Sequence, residues 1–135
     1  MAADKKTTYV EGVGRRKTAT ARVRLTPASE TTISVNGKDY KEYFTQKHIQ
    51  ANLLMPFTTV EADNVYDIQV NVTGGGFKGQ SEAVRMAISR ALVQMNEDFR
   101  KPLKDQKFLR RDARVVERKK YGKPKARKSF QFSKR

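Results

Sequence analysis

Twelve of the 27 residues from Leu109 to Arg135 are lysine or arginine, and two are acidic. Packing that many like charges together is repulsive, and burying them unpaired is prohibitive. The stretch therefore cannot join a core; it needs open solvent or a polyanion. Its apolar residues, Val115, Val116, Tyr121, Phe130 and Phe132, follow no helical or strand period, so residues 109–135 read as an extended basic arm. At ~3.3 Å per residue its full reach is at most roughly 90 Å, more than the width of a body built from the remaining residues. The fold must come from residues 9–108, behind a polar N-terminus, 1–8, expected to be flexible. The whole chain carries a formal net charge of +15 over 135 residues; two thirds of that lies in the arm, so the body is only mildly basic.

Within the body, Thr18 to Leu25 alternate strictly. Ala19, Ala21, Val23 and Leu25 share one face, and Thr18, Thr20, Arg22 and Arg24 the other, the period of a half-buried strand. Tyr9–Gly14 reads as its hairpin partner, with Arg15-Arg16-Lys17 at or near the turn. A third extended run, Thr32–Val35, stops at the turn pair Asn36-Gly37. Residues 39–55 suit two short helical pieces, the second capped by Thr45 and ended by Pro56, with 57–60 a loop or edge strand. Tyr66, Ile68, Val70 and Val72 mark a further strand facing inward. After the glycines at 74–76, residues 80–96 carry an apolar stripe of Ala83, Val84, Ala87, Ile88, Ala91, Leu92 and Met95, with Ser89 off it. Alanine at so many inward positions predicts close approach of this helix to the sheet. A last helix fits 98–108, with Pro102 in its first turn.

Several chemistries are excluded or weakened. The chain has no cysteine and one histidine, His48, so thiolate metal sites, cysteine nucleophiles and a metal centre are not expected, nor is any cofactor. The N-terminus leads into no apolar run, and Leu53–Phe57 is far too short to span a bilayer, so a cytoplasmic protein is expected. Gly74-Gly75-Gly76-Phe77-Lys78-Gly79-Gln80-Ser81 comes within one residue of a nucleotide phosphate loop. Gln80, however, stands where that loop needs lysine. An NTPase is the enzymatic rival; a tight strand-to-helix turn is the plain reading, and helix-start amides of Gly75, Gly76 and Gly79, aided by Lys78 and Gln80, holding an RNA phosphate is the middle one.

Two basic features point to RNA. Arg15, Arg16, Lys17 and Thr18, continued by Arg22 and Arg24, form a candidate phosphate clamp, with a solvated basic turn as the alternative. In the arm, Arg110, Arg111, Arg114, Arg118, Lys119, Lys120, Lys123, Lys125, Arg127, Lys128, Lys134 and Arg135 are interleaved with Tyr121, Phe130 and Phe132, whose rings can stack on or wedge beside bases, with a solubilising or localisation tail as the alternative. Asp112 and Glu117 are expected to pair with neighbouring arginines at the arm's root. A DNA-condensing protein is the binding rival, although no heptad or helix-turn-helix is visible. An anionic membrane surface is the other; Gly122 and Pro124 argue against the amphipathic helix it would require.

These residues resemble the bacterial small-subunit ribosomal protein nine (S-nine) family. The likeness rests on Gly74-Gly75-Gly76, Gly79-Gln80, Ala83, Ala87 and Ser89-Arg90-Ala91-Leu92, on Gly14-Arg15-Arg16-Lys17-Thr18-Ala19, and on Asp112, Arg114, Glu117-Arg118-Lys119-Lys120, Gly122 and Phe132-Ser133-Lys134-Arg135. It covers the chain from Tyr9 onward. The resemblance implies an α+β two-layer sandwich with a four-stranded sheet, helices packed on it, and a left-handed β-α-β crossover against the usual hand. It implies a non-enzymatic constituent of the small-subunit head, bound to 16S-type ribosomal RNA beside the seventh, tenth and fourteenth proteins of that subunit, with no small-molecule substrate and no membrane. By motif, Arg15, Arg16, Lys17, Lys78 and the basic residues from Arg110 to Lys128 would hold ribosomal RNA. Ser133, Lys134 and Arg135 would touch the anticodon stem-loop of peptidyl-site transfer RNA.

Overall fold

The computed structural model describes residues 9–28, 30–60, 66–115, 117–129 and 131. Strand β1 (Val10–Arg16) turns through Lys17-Thr18 into β2 (Ala19–Pro27), and β3 (Thr32–Val35) turns through Asn36-Gly37 into β4 (Lys38–Asp39). Helices α1 (Tyr40–Tyr43) and α2 (Lys47–Val60) lead to β5 (Tyr66–Thr73). Helix α3 (Phe77–Met95), a 3-10 turn (Glu97–Phe99) and α4 (Arg100–Asp105) complete the described elements. The sheet is mixed, ordered β1-β2-β5-β3-β4, antiparallel throughout except for the parallel pair β3 and β5.

The fold is α+β as expected, but the sheet has five strands rather than four. The extra strand is β4, two exposed residues that show no alternation of their own. It exists because Asn36 (φ 51°) and Gly37 (φ 82°) both take left-handed backbone, the geometry that folds a two-residue hairpin back on itself. Asn36 does a second job. Its side-chain amide donates to the Val72 carbonyl (3.0 Å) and accepts from the Val72 amide (2.9 Å), extending the β5 ladder beyond the end of β3.

One sheet face is covered and the other is open. Ala21, Val23, Leu25, Val35, Ile68, Val70 and Val72 lie under the helices, fully or almost fully buried. The register puts Glu11, Arg24 and Gln69 in one row of the open face, and Val13, Arg22 and Asn71 in the next. Helix α3 crosses β1 and β2 at very close range. A Cβ on Gly12 would stand 2.0 Å from the Ala87 carbonyl oxygen, and one on Gly14 1.9 Å from that of Ala83. The alanines foretold the close approach; the glycines opposite them are what permit it.

Four helix expectations need correction. Helix α2 runs through Pro56 to Val60 instead of stopping there. Pro56 is buried, Phe57 stacks against Tyr66 with ring centroids 6.1 Å apart, and Val60 packs on the core, so tertiary packing outweighs the lost amide hydrogen bond. The start of α2 is braced by Gln50, whose Nε2 donates to the Phe44 carbonyl at 2.6 Å; among the described contacts Thr45 supplies no cap. Ser89, expected outside the apolar stripe, is fully buried on a helix that packs against α2 as well as the sheet, and its hydroxyl donates to the Arg85 carbonyl at 2.8 Å. The last helix is shorter than foreseen and ends at a Schellman turn. Lys107 is left-handed (φ 63°), the Phe108 amide donates to the Leu103 carbonyl (3.1 Å) and the Lys107 amide to that of Lys104 (3.0 Å).

Gly14→Ala is expected to destabilise the body by about 3 kcal/mol, at the upper end for overpacking because the obstacle is helix backbone. Val13→Thr, one residue away on the open face, should change stability by less than about 0.5 kcal/mol. Urea denaturation midpoints of the two variants provide the comparison.

Candidate nucleic-acid interface

The two motifs flagged in the sequence, 60 residues apart, meet in space. Gly74 (φ 77°) and Gly75 (φ 68°) make the turn from β5 into α3, and this turn packs on the β1–β2 hairpin. A Cβ on Gly74 would lie 2.5 Å from the Thr18 carbonyl oxygen, and one on Gly75 would press on Ala19 and Thr18. Gly76 begins α3 without a side-chain cap, leaving the first-turn amides to other partners. Lys17, Thr18 and Lys78 thus gather around the N-terminus of a 19-residue helix. Gln80 faces inward instead. Its Nε2 donates to the Gly74 carbonyl (3.0 Å) and its Oε1 accepts from the Tyr43 hydroxyl (2.9 Å), so it braces the glycine turn. Phe77 stays more than half exposed at the edge of a cluster with Tyr43 and Phe44.

The three hairpin cations part company. Arg15 pairs with Thr20, on the open face; Arg16, next along, belongs to the helix face; Lys17 occupies the turn with φ 55°. On the open face Arg22 is exposed, with no carboxylate within ion-pair distance among the described residues, whereas Arg24 is held 3.0 Å from Glu11 and lies 4.8 Å from the Tyr9 ring centroid.

Arg16 is the surprise. Its Nε donates to Glu82 of α3 at 2.6 Å, its Nη1 donates to the Arg114 carbonyl at 2.8 Å, and its Nη2 lies 3.4 Å from Asp112. One guanidinium therefore ties β1, α3 and the arm together, with its side chain about one-eighth exposed. Asp112 also receives Arg114, whose Nη2 approaches to 2.7 Å and whose backbone amide donates at 3.0 Å. Those two hydrogen bonds, from the Arg114 side chain first and its amide second, hold the Asp112 carboxyl well below the usual carboxylate range against the opposing pull of desolvation, with the Arg16 charge adding to them. Phe108 and Leu109 pack against the core just before this point. The expected pairing of Asp112 and Glu117 with arginines is present, and the partner on the body, Arg16, was not foreseen.

Beyond the root no regular element forms among the described residues. Glu117 gathers Lys120 and, at 2.9 Å, Arg127, and these two hydrogen bonds lower its pKa. Gly122 (φ 72°) bends the chain and Tyr121 is almost wholly exposed. Phe130, Phe132 and Ser133-Lys134-Arg135 lie outside the described residues.

Arg16→Gln should release the root. Trypsin cleavage after Arg110, Arg111 and Arg114 is expected to quicken about tenfold, the equivalent of about 1.4 kcal/mol and modest for charge-assisted hydrogen bonds. Cleavage after Arg118 should be unaltered, and an unchanged rate at the root would show that these contacts do not hold it. Because folding depresses the Asp112 pKa, its contribution is complete above the ordinary aspartate value and fades as pH falls through the depressed one. Exchange protection of the Arg114 amide should accordingly be flat from neutral pH down to about 5 and decline below about pH 4.

Comparison with known proteins fits this arrangement. Residues 14–135 match the family described as Ribosomal protein S9/S16. The small ribosomal subunit protein uS9 of Amoebophilus asiaticus is 52% identical over 126 residues, covering 93% of this chain and 98% of its own. Its counterparts in Cytophaga hutchinsonii (51% over 126 residues, 93% and 98%) and Porphyromonas gingivalis (49% over 127 residues, 94% and 98%) are similar to the same extent. The chain belongs to the ribosomal protein S9/S16 family, whose members are structural proteins and not enzymes.

Proposed function

We propose that this protein is a structural constituent of the small ribosomal subunit, in its head and in the cytoplasm. It holds 16S-type ribosomal RNA with its body and arm, and its last residues, Ser133, Lys134 and Arg135, steady the anticodon stem-loop of transfer RNA in the peptidyl site. The relatives' shared description as small-subunit proteins supports the location. The seventh, tenth and fourteenth proteins of that subunit are its neighbours in this reading, and the β3–α1–α2–β5 unit is where a left-handed crossover would lie.

One observation carries the RNA reading. Past its root the arm sets seven cations, Arg118 to Lys128, against the single carboxylate of Glu117. Such a strand is stable only in solvent or among closely spaced phosphates, where each neutralised phosphate releases counterions. The division into a body (9–108) and an arm (109–135) has a functional meaning here. The body docks, Arg16 sets the direction in which the arm leaves it, and the arm orders on RNA because ordering costs about 1–2 kcal/mol per residue with few contacts otherwise to repay it. On the body, Arg15, Lys17, Thr18, Arg22 and Lys78, with the amides of the Gly75–Gly79 turn, face the RNA. Arg16 and Gln80 hold that surface in shape.

Deleting residues 115–135 keeps the root and removes the threaded part. The log–log slope of RNA affinity against salt should then flatten by roughly 3, as expected if about four of the nine cations removed each meet a phosphate. A slope that survives the truncation would reject the arm's role. Deleting only 133–135 should leave assembly intact and reduce transfer RNA retention in the peptidyl site, measured by filter binding; equal retention would remove the tip from the mechanism.

A further inference from the structure

Between the arm root and the body lies a cleft of about 680 Å³. It is walled by the end of β1, by Glu82 and Arg85 of α3, by the turn after α4, and by residues 110–114. Seven of its lining residues are cationic and two are acidic; one of the seven, Arg15, borders it from edge strand β1 with its side chain on the open face of the sheet. Both acids are already engaged, Glu82 by Arg16 and Asp112 by Arg16 and Arg114. Arg85, Lys107, Arg110 and Arg111 line the same concavity with no carboxylate at ion-pair distance among the described residues. The Arg85 guanidinium sits 4.9 Å from the centroid of the Phe108 ring, which positions it without neutralising it. Lys107 is presented by the left-handed position of the Schellman turn.

Four uncompensated cations around one hollow repel one another until an anion enters. The hollow is much larger than one phosphate and falls in the range of about 300–1,000 Å³ typical of pockets that enclose a ligand. A concave wall accepts a protruding ligand, and the smooth side of a duplex does not protrude. We propose that this cleft is a preformed receptor for a convex, phosphate-dense turn of RNA backbone, a hairpin loop or bulge. The proposal rests on the RNA-binding reading above and deepens it, adding Arg85 and Lys107 to the residues that meet RNA. It also separates two modes of contact: the cleft selects a shape with no ordering step, and the arm then follows the backbone.

The test uses the full chain carrying Lys107→Asn and Arg110→Gln. Both residues are exposed, and asparagine tolerates the left-handed backbone at 107. Binding is followed by fluorescence anisotropy over a range of salt, with an RNA hairpin bearing an open loop and a blunt RNA duplex of equal phosphate number. On the hairpin the salt slope should fall by about 1.4–1.8, two phosphate contacts' worth, and on the duplex by less than half of that. An unchanged hairpin slope, or equal changes on both RNAs, overturns the cleft while leaving the arm's RNA role standing. Wild-type protein that binds both RNAs without salt dependence would overturn both. For Arg85, replacement by Gln should lower the hairpin slope by about 0.7–0.9 and replacement by Lys should preserve it; a lysine variant that behaves like the glutamine variant would assign Arg85 to packing on Phe108 alone and remove it from the site.

Discussion

Everything in this molecule hangs on how closely α3 lies on β1. Gly12 and Gly14 present bare backbone to Ala83, Ala87 and Ala91, and no side chain larger than hydrogen fits at either glycine. That contact fixes where the rest of α3 goes. It puts the helix N-terminus and its glycine turn beside the β1–β2 hairpin, and it carries Glu82 within reach of Arg16. A helix standing off by the width of one methyl group would lengthen the Arg16–Glu82 contact, one of the three that fix the Arg16 guanidinium.

Charge is handled differently at the two ends of the arm. At its root, carboxylates and a carbonyl oxygen absorb the guanidiniums: Glu82, Asp112 and the Arg114 carbonyl share Arg16, while Asp112 also takes Arg114. The Arg16 contacts are partly sheltered, so they are screened less than surface pairs and can hold the chain in one place, whereas Arg114 is largely exposed in its pair with Asp112. Farther out, among the described residues, only Glu117 offers compensation, to Lys120 and Arg127. The exposed pairs there contribute little, and the arm's remaining charge stays available to an external partner. A seated root with a cation-rich extension combines a defined point of departure with an adaptable path.

Much of this was legible from residue order. The alternation from Ala19 to Leu25 and from Tyr66 to Val72 gave the two central strands and their buried faces, because a half-buried strand writes its period directly into the chain. The alanines of α3 announced a close contact. Pro56 misled, since its cost to a helix is local whereas the burial of Phe57 and Val60 that outweighs it comes from elsewhere in the fold. Strand β4 went unseen because two residues carry no period. Arg15-Arg16-Lys17 looked like one cluster, yet strand geometry turns Arg15 and Arg16 to opposite faces of the sheet.

Sequence alone determined the uneven placement of charge along the chain, the strand and helix periods, and the exclusion of the basic C-terminal stretch from a core unless solvent or a polyanion meets its charge, since each follows from side-chain charge and local spacing. Tertiary structure decided which cations are free and which are committed. Arg16 reaches Glu82 across 66 positions and Arg114 across 98, and Arg85 and Lys107 come to face one cleft from separate elements. No local pattern encodes such meetings, because they depend on where the packing of α3 on two glycines places distant side chains.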